Sequence, residues 1–364
     1  MRPCLQTFDA GIKELRAYLQ SIEDEDLLLL SLTQTERHDK LTVTEQQLLS
    51  SILAAHIGRK QYIYSVAIVS LYGLLERFVD SVVEAYVHRA ASLVTSYKAL
   101  PEAIVSRHTQ LSLDLAKAIT EERYRSGGTT EAQVIENLHL CLSGAPSFRM
   151  NAAAFVLHRG NVYLGKITDF LTAVGIDGHL RRVSQASEMH TFLQVKYPDH
   201  KIPLVANQDI PALFEPIDSL VSRRNEIAHG VINIEDIESI DLLKGRCDFL
   251  LAYVHALYRV VLQEVIRLQV QRPSCKALGK PIHVYDHSIV CFEIKDGRVR
   301  VGDIIAAATN AALEPFRFSR IEGLQVNRAA QIEVIATEPT KFGAKVKFHA
   351  NANYDYFLFA DETL

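Results

Sequence analysis

The strongest constraint on the fold is one long apolar segment, QYIYSVAIVSLYGLLERFVDSVVEAYVHRAASLV, which covers residues 61–94. It has the apolar spacing of a helix and carries no charged side chain before Glu76. A helix of this kind buries most of its surface, so other helices must pack around it. The segment therefore predicts a helical bundle with this helix at its centre, and within it Tyr72 is predicted to be a core residue.

Helical periodicity also runs through the segments on both sides, from about residue 5 to residue 272. Thr42 is predicted to begin a helix, because Glu45 follows three residues later and completes a capping box. The proline-bearing stretch over 194–211 predicts a loop. Further helices are predicted for GIKELRAYLQSI (11–22), EAIVSRHTQLSLDLAKAITEERYRS (102–126), TTEAQVIENLHLCLS (129–143), RGNVYLGKITDFLTAVGI (159–176) and IESIDLLKGRCDFLLAYVHALYRVVLQEVIRLQVQ (237–271).

The apolar period changes near the C-terminal end of the chain. RPSCKALGKP is predicted to be a linker, and alternating apolar and polar residues follow it, as in β-strands. Asp296-Gly297 stands where a type I′ hairpin turn would be expected. The predicted organisation is an N-terminal helical extension (1–58), a helical domain (59–271), the linker (272–281) and a small β-barrel or β-sandwich domain (282–364).

Composition and charge limit the classes of partner. The chain has 364 residues, a formal net charge of -4 and no basic or acidic tail, so any contact with RNA must be local. Its five cysteines include no CxxC pair, which argues against a zinc site or a disulfide framework. The N-terminal residues lack the continuous apolar core of a signal peptide, and the apolar run at 27–32 is too short to span a membrane. We therefore expect a cytoplasmic protein with no membrane partner.

The segment VSRRNEIAHG places a charged side chain on the apolar stripe of a predicted helix. This helix is predicted to start after Pro211. Arg224 follows Ile217 by seven residues and Leu220 by four, so the three side chains share one face. A guanidinium on such a face is destabilising unless it pairs with a carboxylate or binds an anion. The position of Arg224 therefore raises the question of its partner.

Two further polar residues accompany this arginine. Asn225 and His229 are four residues apart, so they share the neighbouring face, and Gly230 is predicted to end the helix. Cleavage of RNA needs a base that takes the proton of the ribose 2′-OH and a cation that stabilises charge on the phosphorane, and histidine and arginine suit these roles. The alternative is a purely structural role, in which Arg224 pairs with a core carboxylate and His229 only complements the helix dipole.

These residues carry a resemblance to a known family. RRNEIAHG resembles the R-x(4–6)-H signature of the HEPN superfamily, in which the residue after the arginine is typically polar. The segment IYSVAIVSLYGLLERFVDSVV looks like the opening helix of a bacterial HEPN subfamily labelled RiboL-PSP or MAE-type, and NVYLGKITDFLTAVGID resembles its middle helix. The similarity covers roughly residues 55–270. HEPN proteins are all-helical and usually dimeric, and many are metal-independent endoribonucleases.

The resemblance implies one composite RNA cleft between the two motif helices of a homodimer. Arg224 would bind the scissile phosphate, Asn225 would orient the site, and His229 would act as the base or touch the 2′-OH. Glu76 is the candidate acidic residue from the opening helix and could pair with Arg224; the alternative for it is a solvated carboxylate beside Arg77. Such proteins typically act as toxins or in phage defence. The expected partners are therefore RNA, with tRNA as a candidate, and a separate antitoxin or defence-system protein, and no cofactor is expected.

Two rival hypotheses remain open from the residues alone. DHSIVCFEIK contains Asp286, Glu293 and Lys295, an arrangement that in many nucleases holds Mg²⁺ and activates water, although solvent-facing strand residues would give the same pattern. The other rival is a non-catalytic HEPN scaffold that dimerises or binds RNA or a nucleotide, with a β domain that docks a partner. Several histidines are predicted to be ordinary core or surface residues: His56, His88, His158 and His255.

Overall fold

In a computed structural model of the protein, the described residues are 1–120, 128–158, 160–196, 198, 210–232, 234–272, 275–311 and 313–360. The α-helices are α1 (Arg2–Leu32), α2 (Thr35–His38), α3 (Val43–Ala54), α4 (His56–Ser92), α5 (Glu102–Ile119), α6 (Glu131–Leu142), α7 (Leu164–Ala173), α8 (His179–Ser184), α9 (Ser187–Lys196), α10 (Ile210–Leu213), α11 (Glu215–Ala228) and α12 (Ile240–Val270). A helical bundle followed by a small β domain was the predicted fold class, and the structure confirms it.

Helix α4 lies at the centre of the helical bundle, as the sequence predicts. It packs against α1, α11 and α12 and against the 3-10 turn at Ala152–Val156. Gly11 of α1 faces this helix, and a Cβ at that position would clash with Leu74. One face of its N-terminal half remains open to solvent, at Tyr62, Val66 and Val69. The long apolar segment therefore forms a core helix with one exposed stripe.

One predicted helix start is confirmed in detail, whereas several predicted bounds differ from the observed ones. Thr42 accepts a hydrogen bond from the Glu45 backbone N–H (3.3 Å), and the Glu45 carboxylate accepts one from the Thr42 backbone N–H (2.6 Å), which confirms the capping box. The helix predicted over 102–126 ends at Ile119, and residues 121–127 lie outside the described residues. Most of the loop predicted over 194–211 also lies outside them, and α9 continues to Lys196.

Helix α12 joins the bundle to the β domain. It is long and apolar enough to cross a membrane by composition, but 78% of its most apolar window is buried inside the protein. It packs against α1, α4, α8 and α9. This burial makes α12 a core helix of the bundle.

The β domain consists of antiparallel strands in three sheets. The strands are β1 (Lys276–Gly279), β2 (His283–Tyr285), β3 (Ile289–Ile294), β4 (Gly297–Arg300), β5 (Ile304–Ala308), β6 (Phe316–Arg320), β7 (Gly323–Val326), β8 (Ala329–Gln331), β9 (Glu333–Ala336), β10 (Thr340–Lys345) and β11 (Asp355–Phe359). The sheet orders are β1-β11-β5-β6, β2-β3-β10-β7-β8 and β4-β9. Buried side chains of all three sheets form one core, among them Phe292, Val334 and Tyr356.

Two expectations about this part of the chain need correction. Residues 276–279, predicted to belong to the linker, form β1, because β11 supplies an antiparallel partner that short local patterning does not reveal. Asp296-Gly297 does not form a β3–β4 hairpin, because β3 already pairs with β2 and β10 on its two sides. Left-handed residue pairs that suit a type I′ turn are found instead at Asp286 and His287, with φ of 46° and 51°, and at Asn327 and Arg328, with φ of 51° and 68°.

The β domain is docked on the C-terminal half of α12. The buried side-chain amide of Gln263 donates to the Phe316 carbonyl oxygen (2.6 Å) and accepts from the Phe316 backbone N–H (2.9 Å). Ile266 packs into a cluster with Ile304 and Phe359 beside this contact. A side chain of the helical bundle thus occupies the hydrogen-bonding position of a neighbouring strand at the start of β6.

Candidate functional site

Helix α11 carries the predicted motif and packs on α4 through one apolar face. Its buried side chains are Ile217, Leu220 and Val221. Pro216 stands in the first turn, where its missing N–H removes no helical hydrogen bond, and Glu215 and Asp218 complement the positive end of the helix dipole. The burial of this apolar face fixes the rotation of the helix about its axis, and that rotation determines where the polar motif side chains lie.

The end of α11 has the predicted glycine signal. Gly230 has φ of 71°, in the left-handed region, and its N–H bonds to the Ile227 carbonyl oxygen at 3.1 Å. The Val231 N–H bonds to the Glu226 carbonyl oxygen at 2.9 Å, which completes a Schellman motif. The helix therefore ends at Ala228 and His229 is its C-cap residue; the exposed imidazole of His229 has no hydrogen-bond partner among the described residues.

Arg224 lies half-buried at the edge of the apolar face. The guanidinium carbon lies 5.2 Å from the centre of the Tyr72 ring, within cation–π distance. Nη1 donates one hydrogen bond, of 3.3 Å, to Asn225 Oδ1. Within the described part of the chain, no carboxylate lies at ion-pair distance from Arg224. Most of its N–H donors are therefore open to a ligand.

The preceding arginine, Arg223, has the opposite surroundings. Its Nε lies 3.2 Å from Glu238 Oε1, and its Nη1 donates to Tyr64 Oη at 2.8 Å. Arg246 binds the same carboxylate through two hydrogen bonds of 2.6 and 2.7 Å. Burial alone would raise the pKa of Glu238, but its hydrogen bonds and ion pairs with Arg246 and Arg223 hold that pKa below its usual value. Arg223 is a structural ion-pair residue, whereas Arg224 is not.

Asn225 joins the motif helix to a segment distant in sequence. Its Oδ1 accepts hydrogen bonds from Arg224 Nη1 (3.3 Å) and from Asn161 Nδ2 (2.7 Å). Its Nδ2 donates to Tyr163 Oη at 3.0 Å. An amide oxygen has two lone pairs, so both are in use here. Asn225 is thus placed to orient Arg224 within the site.

A comparison with known protein families matches the region that contains these helices. The family model RiboL-PSP-HEPN matches residues 36–263, a range that includes α4, α11 and most of α12. The chain belongs to the RiboL-PSP-HEPN family. HEPN domains are generally ribonucleases, so the match supports an RNA-related role for this one. No curated protein matches the chain.

In this HEPN domain Tyr72 separates Glu76 from the motif arginine. The Tyr72 hydroxyl donates to Glu76 Oε1 at 2.7 Å and accepts from the Val162 backbone N–H at 3.1 Å. Burial raises the pKa of Tyr72, and the hydrogen bond with Glu76 raises it further, so the phenol stays neutral. The direct Glu76–Arg224 pair that the sequence suggested is not formed, because the ring of Tyr72 lies against the guanidinium.

His158 is a further part of the HEPN site that the sequence did not single out. Its Nε2 lies 3.8 Å from Glu76 Oε1 and 3.7 Å from Asp80 Oδ2. Its Nδ1 lies 2.6 Å from the Gly160 carbonyl oxygen, a contact that requires a proton on Nδ1. The nearby carboxylate of Asp80 raises the pKa of His158, against the opposing effect of burial. The Nδ1 nitrogen is thus hydrogen-bonded, and the Nε2 nitrogen lies at ion-pair distance from two carboxylates.

One connecting segment of the HEPN domain, residue 158 and residues 160–164, contacts the site repeatedly. Asn161 and Tyr163 bind Asn225, and the Val162 N–H binds Tyr72. The Leu164 N–H donates to Asp218 Oδ1 at 2.7 Å. The sequence predicted a helix from residue 159, but α7 begins only at Leu164, because these backbone N–H groups bond to side chains instead.

The alternative metal site in the β domain is not assembled. Asp286 lies in the turn before β3, whereas Glu293 lies near its far end, opposite Lys341, and the exposed Lys295 follows the strand. Glu293 lies four residues beyond Ile289, a rise of about 13 Å along the strand, and Asp286 lies in the turn before Ile289, so the two carboxylates are too far apart to share one cation. In the part of the chain that the structure describes, no group of 3 or more His, Cys, Asp or Glu side chains could hold a metal ion.

Proposed function

We propose that the protein is a metal-independent endoribonuclease of HEPN type, acting as a toxin or in antiphage defence. The observation that carries the proposal is the state of Arg224, a half-buried cation held by Tyr72 and Asn225, with no carboxylate partner among the described residues. This guanidinium has no anionic partner, and a phosphate can bind it through two parallel hydrogen bonds.

The proposed reaction uses the two ends of the motif. His229, exposed at the end of α11, takes the proton from the ribose 2′-OH. The 2′ oxygen forms a bond to phosphorus, the bond to the 5′ oxygen breaks, and that oxygen takes up a proton as it leaves. Arg224 stabilises the charge on the phosphoryl oxygens in between. The products are a 2′,3′-cyclic phosphate and a 5′-OH, and Asn225 and Glu76 act as positioning residues, the latter through Tyr72.

A homodimer with one composite cleft is part of the proposal. Its support is the exposed stripe on α4, where Tyr62, Val66 and Val69 leave 76%, 48% and 47% of their surfaces open. Their spacing of four and three residues places them on one helical face, and contiguous exposed apolar faces mark interaction sites. RNA, including tRNA, and an antitoxin or other defence protein are the further partners we propose.

A non-catalytic HEPN scaffold is the second candidate function. The observation that favours it is the exposed apolar surface of the β domain, where Ile332 and Ile335 leave 83% and 67% of their surfaces open. A partner that docks there would give the protein a role without cleavage. The cleavage experiment described next distinguishes the scaffold from the ribonuclease.

The test compares the wild type with His229→Ala on total RNA and on tRNA in EDTA. We expect fragments that end in 2′,3′-cyclic phosphate from the wild type and none from the variant. His139→Ala is the matched control, because His139 is also an exposed histidine in the last turn of a helix. If neither protein cleaves RNA although both are folded and dimeric, the scaffold is favoured. If His229→Ala cleaves as the wild type does, His229 is not the base.

A further inference from the structure

One aromatic ring at the site is open to solvent. Tyr163 exposes 37% of its surface, whereas Tyr72 exposes 3% and is enclosed between α4 and the connecting segment. An exposed tyrosine needs no explanation by itself, since most surfaces carry apolar rings. This ring, however, lies near the open N–H donors of Arg224, so a ligand that binds Arg224 can also contact the ring.

Tyr163 is also held rigidly. Its hydroxyl accepts the hydrogen bond from Asn225 Nδ2, and its carbonyl oxygen accepts the bond from the Ile167 N–H at 3.0 Å, at the start of α7. The next residue, Leu164, is bound through its N–H to Asp218. A ring fixed at its tip and at its backbone loses little conformational entropy when a ligand stacks on it.

The ring and the guanidinium are two hydrogen bonds apart. Asn225 Oδ1 accepts from Arg224 at 3.3 Å, and Asn225 Nδ2 donates to Tyr163 at 3.0 Å. The phenol and the guanidinium therefore bind one side-chain amide, so neighbouring groups of one RNA strand can contact both. We propose that Tyr163 is a base-contacting residue, on which a nucleobase next to the phosphate held by Arg224 stacks.

The proposal rests on the proposed ribonuclease function and adds the class of substrate. Proteins recognise single-stranded RNA by stacking unpaired bases on aromatic side chains, whereas bases within an RNA helix are already stacked on their neighbours. A ring presented beside the scissile phosphate therefore selects unpaired nucleotides, such as those of loops. It tolerates different bases, because every base has a π face.

The experiment measures binding in the absence of cleavage. The parent is the full chain with His229→Ala, and the probe is a fluorescently labelled single-stranded RNA oligonucleotide, followed by anisotropy. We expect Tyr163→Ala to weaken binding by roughly 5- to 150-fold, as for the loss of one base–aromatic stack. Tyr163→Phe keeps the ring and recovers most of the affinity, whereas Tyr163→Leu, which is apolar but not aromatic, does not. Tyr285→Ala, an exposed tyrosine of the β domain, is the control with unchanged binding.

A second set of probes locates the stack. In a series of oligonucleotides, one abasic nucleotide is moved along the strand. The parent should bind one member of the series more weakly than the others, the one that lacks the stacked base. Tyr163→Ala should bind all members with equal affinity. Equal affinity of Tyr163→Ala and the parent would overturn the proposal, as would a Phe variant as weak as the Ala variant, which would reduce Tyr163 to a hydrogen-bond partner of Asn225. RNA binding by the parent and RNA cleavage by the wild type test the proposed ribonuclease function separately from the role of Tyr163. If the parent does not bind RNA and the wild type does not cleave it, the ribonuclease function and the role of Tyr163 are both wrong.

Discussion

At the scale of single residues, the two consecutive arginines of α11 differ in their surroundings. Arg223 pairs with Glu238, a carboxylate that Arg246 also binds, so its charge is satisfied within the protein. Arg224 has an aromatic face and one amide oxygen, and neither neutralises a positive charge. The same residue type therefore stabilises the fold at one position and is available to a ligand at the next.

This difference predicts opposite effects of two alanine variants. Arg224→Ala should lower RNA cleavage by about 100-fold or more, because a cation at the phosphorane is lost, with little change in stability. Arg223→Ala should lower the free energy of unfolding by about 1–3 kcal/mol, because the half-buried Glu238 keeps only one of its arginines. Urea unfolding and a cleavage assay on both proteins measure the two effects. A loss of stability in Arg224→Ala as large as that in Arg223→Ala would make Arg224 a structural residue.

At the scale of elements, the sequence predicted the helices of the site but not the segment that connects them. The long apolar run of α4 and the R-x4-H string of α11 are local signals, and both elements lie where the patterns predict. The connecting segment acts through contacts that no local pattern reveals. The Val162–Tyr72 bond spans 90 positions and the Asn161–Asn225 bond spans 64. Tyr163 was therefore assigned to a helix and His158 to the ordinary histidines.

His158 gives this segment a dependence on pH. Its pKa is raised by the carboxylate of Asp80, with further contributions from the Gly160 carbonyl oxygen and Glu76. Glu84, one turn beyond Asp80 on α4, has a pKa raised by burial and then by the charge of Asp80, so it is a weaker acid than a solvated glutamate. A raised histidine pKa stabilises the fold fully below the unfolded value of about 6.5, and this contribution is lost as pH rises through the folded value.

The prediction concerns His158→Gln, which removes the charge but keeps a polar side chain. The difference in free energy of unfolding between wild type and variant should be largest at about pH 6 and smaller at about pH 9, because the wild-type imidazolium loses its proton on that rise. Urea unfolding at both pH values measures it. His139→Gln, exposed at the end of α6, is the control. A difference that is equal at both pH values would mean that the charge of His158 does not hold the connecting segment.

At the scale of the whole molecule, the β domain has a fixed place on the bundle. Gln263 of α12 binds both backbone groups of Phe316, and Arg259 lies 3.4 Å from Glu314 beside it. The strands begin at Lys276, soon after α12 ends, so the predicted linker is mostly part of the β domain. Because α12 also packs on α4, one helix contacts both the β domain and the central helix of the site.

The exposed stripe on α4 predicts how two chains assemble. If Tyr62, Val66 and Val69 cover one another across a dyad, charges on this stripe should separate the chains without disturbing the core, since these side chains face outward. We expect Val66→Glu combined with Val69→Glu to change the mass measured by light scattering from two chains to one and to abolish RNA cleavage.

The control for this double variant is Ile335→Glu, which places the same charge on an exposed apolar position of the β domain. It should leave the dimer and the cleavage of RNA unchanged. Wild-type cleavage should also rise faster than linearly with protein concentration below the dimer dissociation constant, because each cleft needs two chains. A wild-type monomer whose cleavage is linear in concentration would contradict the composite site, since one α11 would then supply every group that the reaction needs.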